Sequence, residues 1–388
     1  MWQESGSLMG NSAYKLLIKA LFFSVFLIFI SLSPGEDSFT IVFLEQSYIR
    51  FLVYGISFLF LILFLIHNGI YLRKRVFYTL LMVLGAIVAL QLYRSFFDVN
   101  DFFKILILLP FLFIERVNVS DLRNRKLFFA GVFAFFLLFS LLYGVREDGR
   151  LVYNSYDPNY SAIYVLFAFL MAQKMGEKTF SILFLILGIL TFSRNFILAI
   201  LVFYIIRRLK QNTFIKKLLL KIRLFPFFII TNITLSLIGF AIISLFEPVS
   251  GRGGVSLNDG SNRLRFTYAV EGVLYSISGR EALLLGAGDK YWPASKGGTG
   301  KAEISGRVHN SFLDCIAIKG TIYTLIYVFF IFSIVKEKYQ DDNYEYVFSF
   351  LFAMFFLGDL LGGLYVYCWC FILSLQRKNN VKLLIHQS

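Results

Sequence analysis

Residues 224–246 read LFPFFIITNITLSLIGFAIISLF, twenty-three positions without a charge. Wound as a helix at 1.5 Å per residue, such a run reaches about 35 Å, enough to cross a hydrocarbon layer of about 30 Å. A long polar stretch, Glu247 to Asn310, follows before apolar sequence resumes at Ser311. Similar apolar runs occupy 15–33, 48–71, 76–95, 101–115, 126–145, 158–173, 179–193, 194–207, 311–335, 344–358 and 361–375. This pattern predicts an all-α polytopic membrane protein of about twelve transmembrane helices. Helices one to nine fall in 1–246, a loop on the outer face in 247–310, and helices ten to twelve with a cytoplasmic tail in 311–388.

Composition points the same way, because 58% hydrophobic residues and 47 Phe exceed what a soluble core can hide. The formal charge of +14 lies in short clusters between apolar runs, the positive-inside pattern, and not in a nucleic-acid footprint. Placing Arg73-Lys74-Arg75, 116–126, Lys174 with Lys178, 207–223, Lys336 with Lys338, and Arg377-Lys378 on one side puts both termini in the cytoplasm. The alternate connections then form the outer face, periplasmic in a bacterium with an outer envelope. They hold Glu36-Asp37, Asp98 with Asp101, 146–159, Ser193-Arg194, the long loop and Gly358-Asp359. The first run reads as a retained helix, since no small-residue cleavage pattern follows it. Cys315, Cys368 and Cys370 sit in apolar stretches without metal or disulfide spacing and read as buried thiols.

Unusual polar residues collect on the outer face. Asp157-Pro158-Asn159 opens the sixth run as an N-cap with proline in the first turn, which on its own is simply a capped helix start. Ser193-Arg194-Asn195 puts Arg194 at the amino end of the eighth helix, where a cation is disfavoured unless an anion is also bound. The alternative for Arg194 is an arginine reaching to lipid headgroups. Phe266, Ala269, Val270, Val273, Leu274 and Ile277 recur at helical spacing and predict an amphipathic helix over Arg263 to Ser278, lying along the membrane surface. Ser261 or Asn262 can cap that helix and Gly279 can end it, leaving Arg263 in its first turn and Arg265 just behind. Contact with anionic lipid is the plain reading for this pair. Leu283 to Leu285 then dips toward the apolar layer, Gly286-Ala287-Gly288 permits a tight turn, and Gly, Lys and Ser dominate 295–306. Arg307 leads into His309 and Asn310 at the start of the tenth helix, where the dipole favours a neutral imidazole able to accept a proton. A lone histidine is more often structural. His67 and His386 lie on the cytoplasmic side, and Asp314 falls about 140° round the helix from His309, too far for a dyad.

Thr191-Phe192-Ser193-Arg194, Asn262-Arg263-Leu264, Leu285-Gly286-Ala287-Gly288 and His309-Asn310-Ser311-Phe312-Leu313 with Lys319-Gly320 resemble, in order and spacing, the signature of the O-antigen ligase and O-antigen polymerase (Wzy) superfamily. Asp157-Pro158-Asn159 is similar to a segment of its polymerases, and the resemblance covers roughly 157–330. It implies a GT-C-like glycosyltransferase of the bacterial inner membrane that works at the periplasmic face. The donor would be an oligosaccharide on undecaprenyl diphosphate, transfer would invert the anomeric carbon, and neither metal nor cofactor is implied. Arg194 matches the first diphosphate-holding arginine, Arg263 the second with Arg265 as the alternative, and His309 the histidine that assists the acceptor hydroxyl. Asp157, Asn159, Arg307 and Asn310 are candidate substrate contacts. Lys319 stands where a glutamate usually precedes the glycine, which puts any role of that acid in doubt.

A polymerase would add repeat units to one another and implies a chain-length regulator as partner, whereas a ligase would transfer the glycan to lipid A core. A lipid-linked oligosaccharide transporter would also be basic and many-spanned, but its charges would be expected near mid-membrane in repeated halves.

Overall fold

The computed structural model describes residues 11–31, 46–68, 74–94, 99–114, 116–122, 124–143, 149–153, 155, 157–245, 260–284, 286, 308–339, 343–358 and 360–376. They are mostly helical. In chain order the helices are α1 (Asn11–Phe29), α2 (Gln46–Asn68), α3 (Lys74–Arg94), α4 (Val99–Leu106), α5 (Pro110–Phe113), α6 (Arg125–Tyr143), α7 (Pro158–Met175), α8 (Lys178–Leu190) and α9 (Arg194–Leu209). There follow α10 (Thr213–Lys221), α11 (Leu224–Ser244), α12 (Gly260–Ser276), α13 (Arg280–Leu284), α14 (Ser311–Lys319), α15 (Thr321–Tyr339), α16 (Tyr344–Phe356) and α17 (Gly363–Ser374). One element unforeseen from the apolar pattern is a two-residue parallel ladder, β1 (Val117–Asn118) with β2 (Leu375–Gln376), in register Val117 to Leu375.

The all-α expectation agrees with this architecture, but the count of twelve spans goes beyond it. Among the described residues, two helical segments, 125–142 and 224–244, are long and apolar enough to cross a membrane, accompanied by six shorter apolar helices. Their outer surfaces carry large apolar side chains, including Leu127, Leu141 and Leu142 of α6 and Ile230 of α11, a pattern suited to lipid and costly in water.

Two expected spans are divided. The run 101–115 divides into α4 and α5 because Pro110, at the first position of α5, has no amide hydrogen to continue the helix before it. The run 311–335 divides at Gly320, whose φ of +86° and ψ of 161° leave the helical region. A Cβ there would lie 2.8 Å from the carbonyl carbon of Leu284, and one on Gly286 (φ +68°) would lie 2.6 Å from Gly320 N. The two glycines therefore let one backbone rest on another at the junction of α14 and α15.

The core centres on α7, whose residues 161–172 are all buried, so its apolar character all round reflects enclosure by protein. α7 packs on α8, α9 and α17, while α9 lies along α16. At Gly188 a Cβ would fall 1.9 Å from the Phe196 ring, so glycine allows α8 and α9 to close up directly after their tight turn.

These helices alternate in direction and so gather their ends at two levels. At one level lie the C-termini of α7, α9 and α15 and the starts of α6, α8 and α16. Arg125 pairs with Glu177 at 2.6 Å, Lys210 with Glu345 at 2.8 Å, and the buried Lys338 donates to Ile114 O at 2.7 Å. This is the basic end. Its cations Arg125, Lys210 and Lys338 are among those that the charge pattern put on one side.

Candidate functional site

The opposite end is built from the starts of α7, α9 and α14 around the turn 357–362 between α16 and α17. α7 begins as its sequence predicts: Asp157 Oδ1 accepts from Asn159 N at 2.7 Å, and Pro158 fills the first helical position. The α8–α9 turn, Thr191-Phe192-Ser193, is tight enough to hold Phe192 at φ +48°, a strained value for a side chain bearing a Cβ. Thr191 steadies it by donating through Oγ1 to Gly188 O and accepting from Ser193 N. Ser193 occupies the N-cap position of α9 without capping it. Its hydroxyl instead donates to Asn159 Oδ1 at 3.2 Å, tying the α9 start to the α7 start.

α16 fixes the level of the other two starts. The last carbonyls of a helix have no partner within it and must find donors elsewhere. Asn195 Nδ2 donates to Ala353 O at 3.3 Å and Asn310 Nδ2 to Phe355 O at 3.4 Å, while Ser311 Oγ donates to Leu357 O and accepts from Leu360 N. Asn310 also caps α14 through Oδ1, which accepts from Phe312 N and Leu313 N, both at 3.1 Å. Across the turn, Tyr160 of α7 donates to Gly358 O at 3.2 Å. A Cβ on Gly358 would lie 2.8 Å from Val308 O and 3.1 Å from Asp314 Oδ2, so glycine lets the segment before α14 pass against it.

Asp157, Asn159, Arg194, His309 and Asn310 are therefore brought to one end of the bundle. Arg194 is the exposed first residue of α9, and His309 is half-buried, one residue before the α14 cap. Arg263 and Arg265 lie on α12, which packs against α11 and α14. Gly272 of α12 faces Val308 and Leu313, so that helix lies beside the histidine segment. Arg265 is half-buried with Nε closed to solvent; the Arg263 side chain falls outside the described residues. Arg307, Leu285, Ala287-Gly288, 295–306, Asp98, Asp359 and His386 also lie outside them, as does the side chain of His67.

The bounds and caps of the expected amphipathic helix need correction. The helix begins at Gly260, so Ser261 and Asn262 belong to its first turn and do not precede it. Ala269 is buried, but Leu274 and Ile277, assigned to the same apolar face, are exposed. Instead of lying only along a surface, α12 packs on α11, with Phe266 on Gly239, where a Cβ would meet the ring at 2.1 Å.

One residue at this end was missed from sequence. Arg150, in the connection before α7, donates from Nε to Thr191 O at 2.9 Å and from Nη2 to Asn159 Oδ1 at 3.1 Å. It bridges the α8–α9 turn and the α7 start, and its spacing in the chain carries no signal. A second missed group is a buried ion cluster: Asp101 of α4, 1% exposed, pairs with Lys319 at 3.1 Å, accepts from Tyr323 at 3.1 Å and faces Lys104 at 3.9 Å. Lys319 thus has a carboxylate partner from another helix, placed immediately before the Gly320 break.

Chemically, the end differs from start to start. The caps of α7 and α14 already take first-turn amides, whereas α9 has no side-chain cap and carries Arg194 at its first position. An uncapped helix start beside guanidinium groups suits a negatively charged group. Among the described residues no three His, Cys, Asp or Glu side chains converge as a metal-holding set. No family model, no curated protein and no solved structure matches the chain.

Proposed function

We propose that the chain is an O-antigen polymerase of the bacterial inner membrane, joining undecaprenyl-diphosphate-linked oligosaccharide repeats at the periplasmic face. In this reading the acceptor sugar hydroxyl attacks the anomeric carbon of the donor glycan. The bond from that carbon to the diphosphate oxygen breaks, undecaprenyl diphosphate leaves with the electron pair, and the hydroxyl proton passes to His309. The configuration inverts. Arg194, with Arg263 or Arg265, holds the diphosphate and stabilises the charge that grows on it, a task for which planar guanidinium suits better than an ammonium. General-base assistance of the kind assigned to His309 is worth about 10² to 10⁴-fold.

The observation that carries the reading is the start of α9. Ser193 turns its hydroxyl away to Asn159, leaving the helix without a side-chain cap where Arg194 stands. First-turn amides not taken by a side-chain cap, with a guanidinium at the same helix start, support binding of an anion there. The buried Asp101–Lys319 pair and the divided helices are features that a transporter would share. The pair lies toward the end opposite the basic one: Tyr323 donates to Asp101, and Tyr327, one turn on, donates to Leu361 O between α16 and α17.

Purified protein incubated with lipid-linked repeats, with and without lipid A core, tests the reading. Longer lipid-linked glycans from repeats alone are the expected result. Product only on lipid A core would make the chain a ligase, and movement of repeats across vesicles without any change in length would make it a transporter.

A further inference from the structure

We propose that α10 is a docking surface for acidic phospholipid headgroups at the basic end, whatever reaction the opposite end performs. The segment 207–223 holds seven basic residues, and no carboxylate occurs between Glu177 and Glu247. Within it, α10 is a short helix with a firm start: Asn212 Oδ1 accepts from Phe214 N at 2.9 Å and from Ile215 N at 3.3 Å. Its inward side is fixed by Leu219, which is buried and whose carbonyl accepts from Tyr339 at 2.7 Å.

At 100° per residue, Phe214, Lys217, Leu218 and Lys221 share the arc opposite Leu219. All four are exposed, Phe214 at 74% and Leu218 at 55%. An outward face that mixes aromatic and aliphatic side chains with lysines is ill suited to water, which would penalise the first kind, and to hydrocarbon, which would penalise the second. It fits the boundary between acyl chains and headgroups, where apolar side chains insert and ammonium groups meet phosphate. Position supports this occupant. α10 joins the C-terminus of α9 to the start of α11, one of the two long apolar helices, so it is held at the level where that helix begins. Arg208 and Arg223, both exposed, extend the charge to either side.

The test uses full-length protein in zwitterionic micelles, offered equal amounts of phosphatidylglycerol and phosphatidylcholine, with bound lipid counted by native mass spectrometry. The wild type is expected to retain the acidic lipid preferentially. Each lysine near an acidic surface accounts for about five-fold in affinity, so Lys217→Gln with Lys221→Gln should reduce the preference by about 25-fold at low salt. Lys217→Arg with Lys221→Arg should retain it, and 0.5 M salt should weaken it in the wild type. Both positions are exposed, so thermal unfolding of the Gln variant in phosphatidylcholine alone should match the wild type. An unchanged preference in the Gln variant would overturn the proposal. So would displacement of the lipid by inorganic phosphate or polyglutamate at equal charge, which would mark the face as a site for soluble anions or acidic proteins.

Discussion

The two ends of the bundle hold their polar groups beside an apolar layer in different proportions of charge and amide. At the basic end, cations meet carboxylates or carbonyls directly, as Arg125 does with Glu177, Lys210 with Glu345, and Lys338 with Ile114. At the other end, amide side chains share the joining with one cation: Asn159 accepts from Arg150 and Ser193, Arg150 also donates to Thr191 O, and Asn195 and Asn310 donate to carbonyls near the end of α16. The first arrangement pairs two of its three cations with carboxylates, as Asp101 does for Lys319 in the other half. The second spends its polar contacts on positioning three helix starts and leaves Arg194 at the exposed first turn of an uncapped helix.

The largest effect expected on stability comes from the buried ion cluster around Asp101, in the half away from the basic end. Asp101→Ala would remove the buried carboxylate that faces Lys319 and Lys104 and accepts from Tyr323, and should cost about 3 kcal/mol, whereas replacing Asp101 and Lys319 with Leu and Met should recover most of that loss. Thermal unfolding of the purified variants in detergent reads both. If Asp101→Ala unfolds like the wild type, that half is not organised around the pair. Next comes Asn310→Ala, which removes the α14 cap and the donor to Phe355, for an expected loss of about 2 kcal/mol. Smallest is Glu177→Gln at the basic end. Arg125 is 37% exposed there, solvent screens the pair, and the loss should be below about 1 kcal/mol. A reversal of the last two would mean that paired charges, not helix caps, fix the structure.

Much of the helical framework can be read locally. The start of α7 is written in Asp157-Pro158, and the starts of α9 and α14 follow Ser193 and Asn310. The division at Gly320 could not be read, because apolar sequence continues through Thr321 and Ile322 and the glycine's conformation is set by the approach of Gly286 from the preceding loop. The faces of α12 were only half legible. Helical period separates apolar from polar but does not distinguish a side chain facing protein, such as Ala269, from one facing outward, such as Leu274. The convergence of 157–159, 193–195 and 309–310 was expected from topology. The means of it was not, since the α16 carbonyls and Arg150 leave no mark in spacing.

The most direct trial is glycan extension by reconstituted protein supplied with purified lipid-linked repeats, comparing wild type with Arg194→Ala and His309→Ala. Each variant should fall by about 100-fold or more while unfolding at the wild-type temperature. Extension at the wild-type rate by either one would contradict a single site assembled from the helix starts at the outer end.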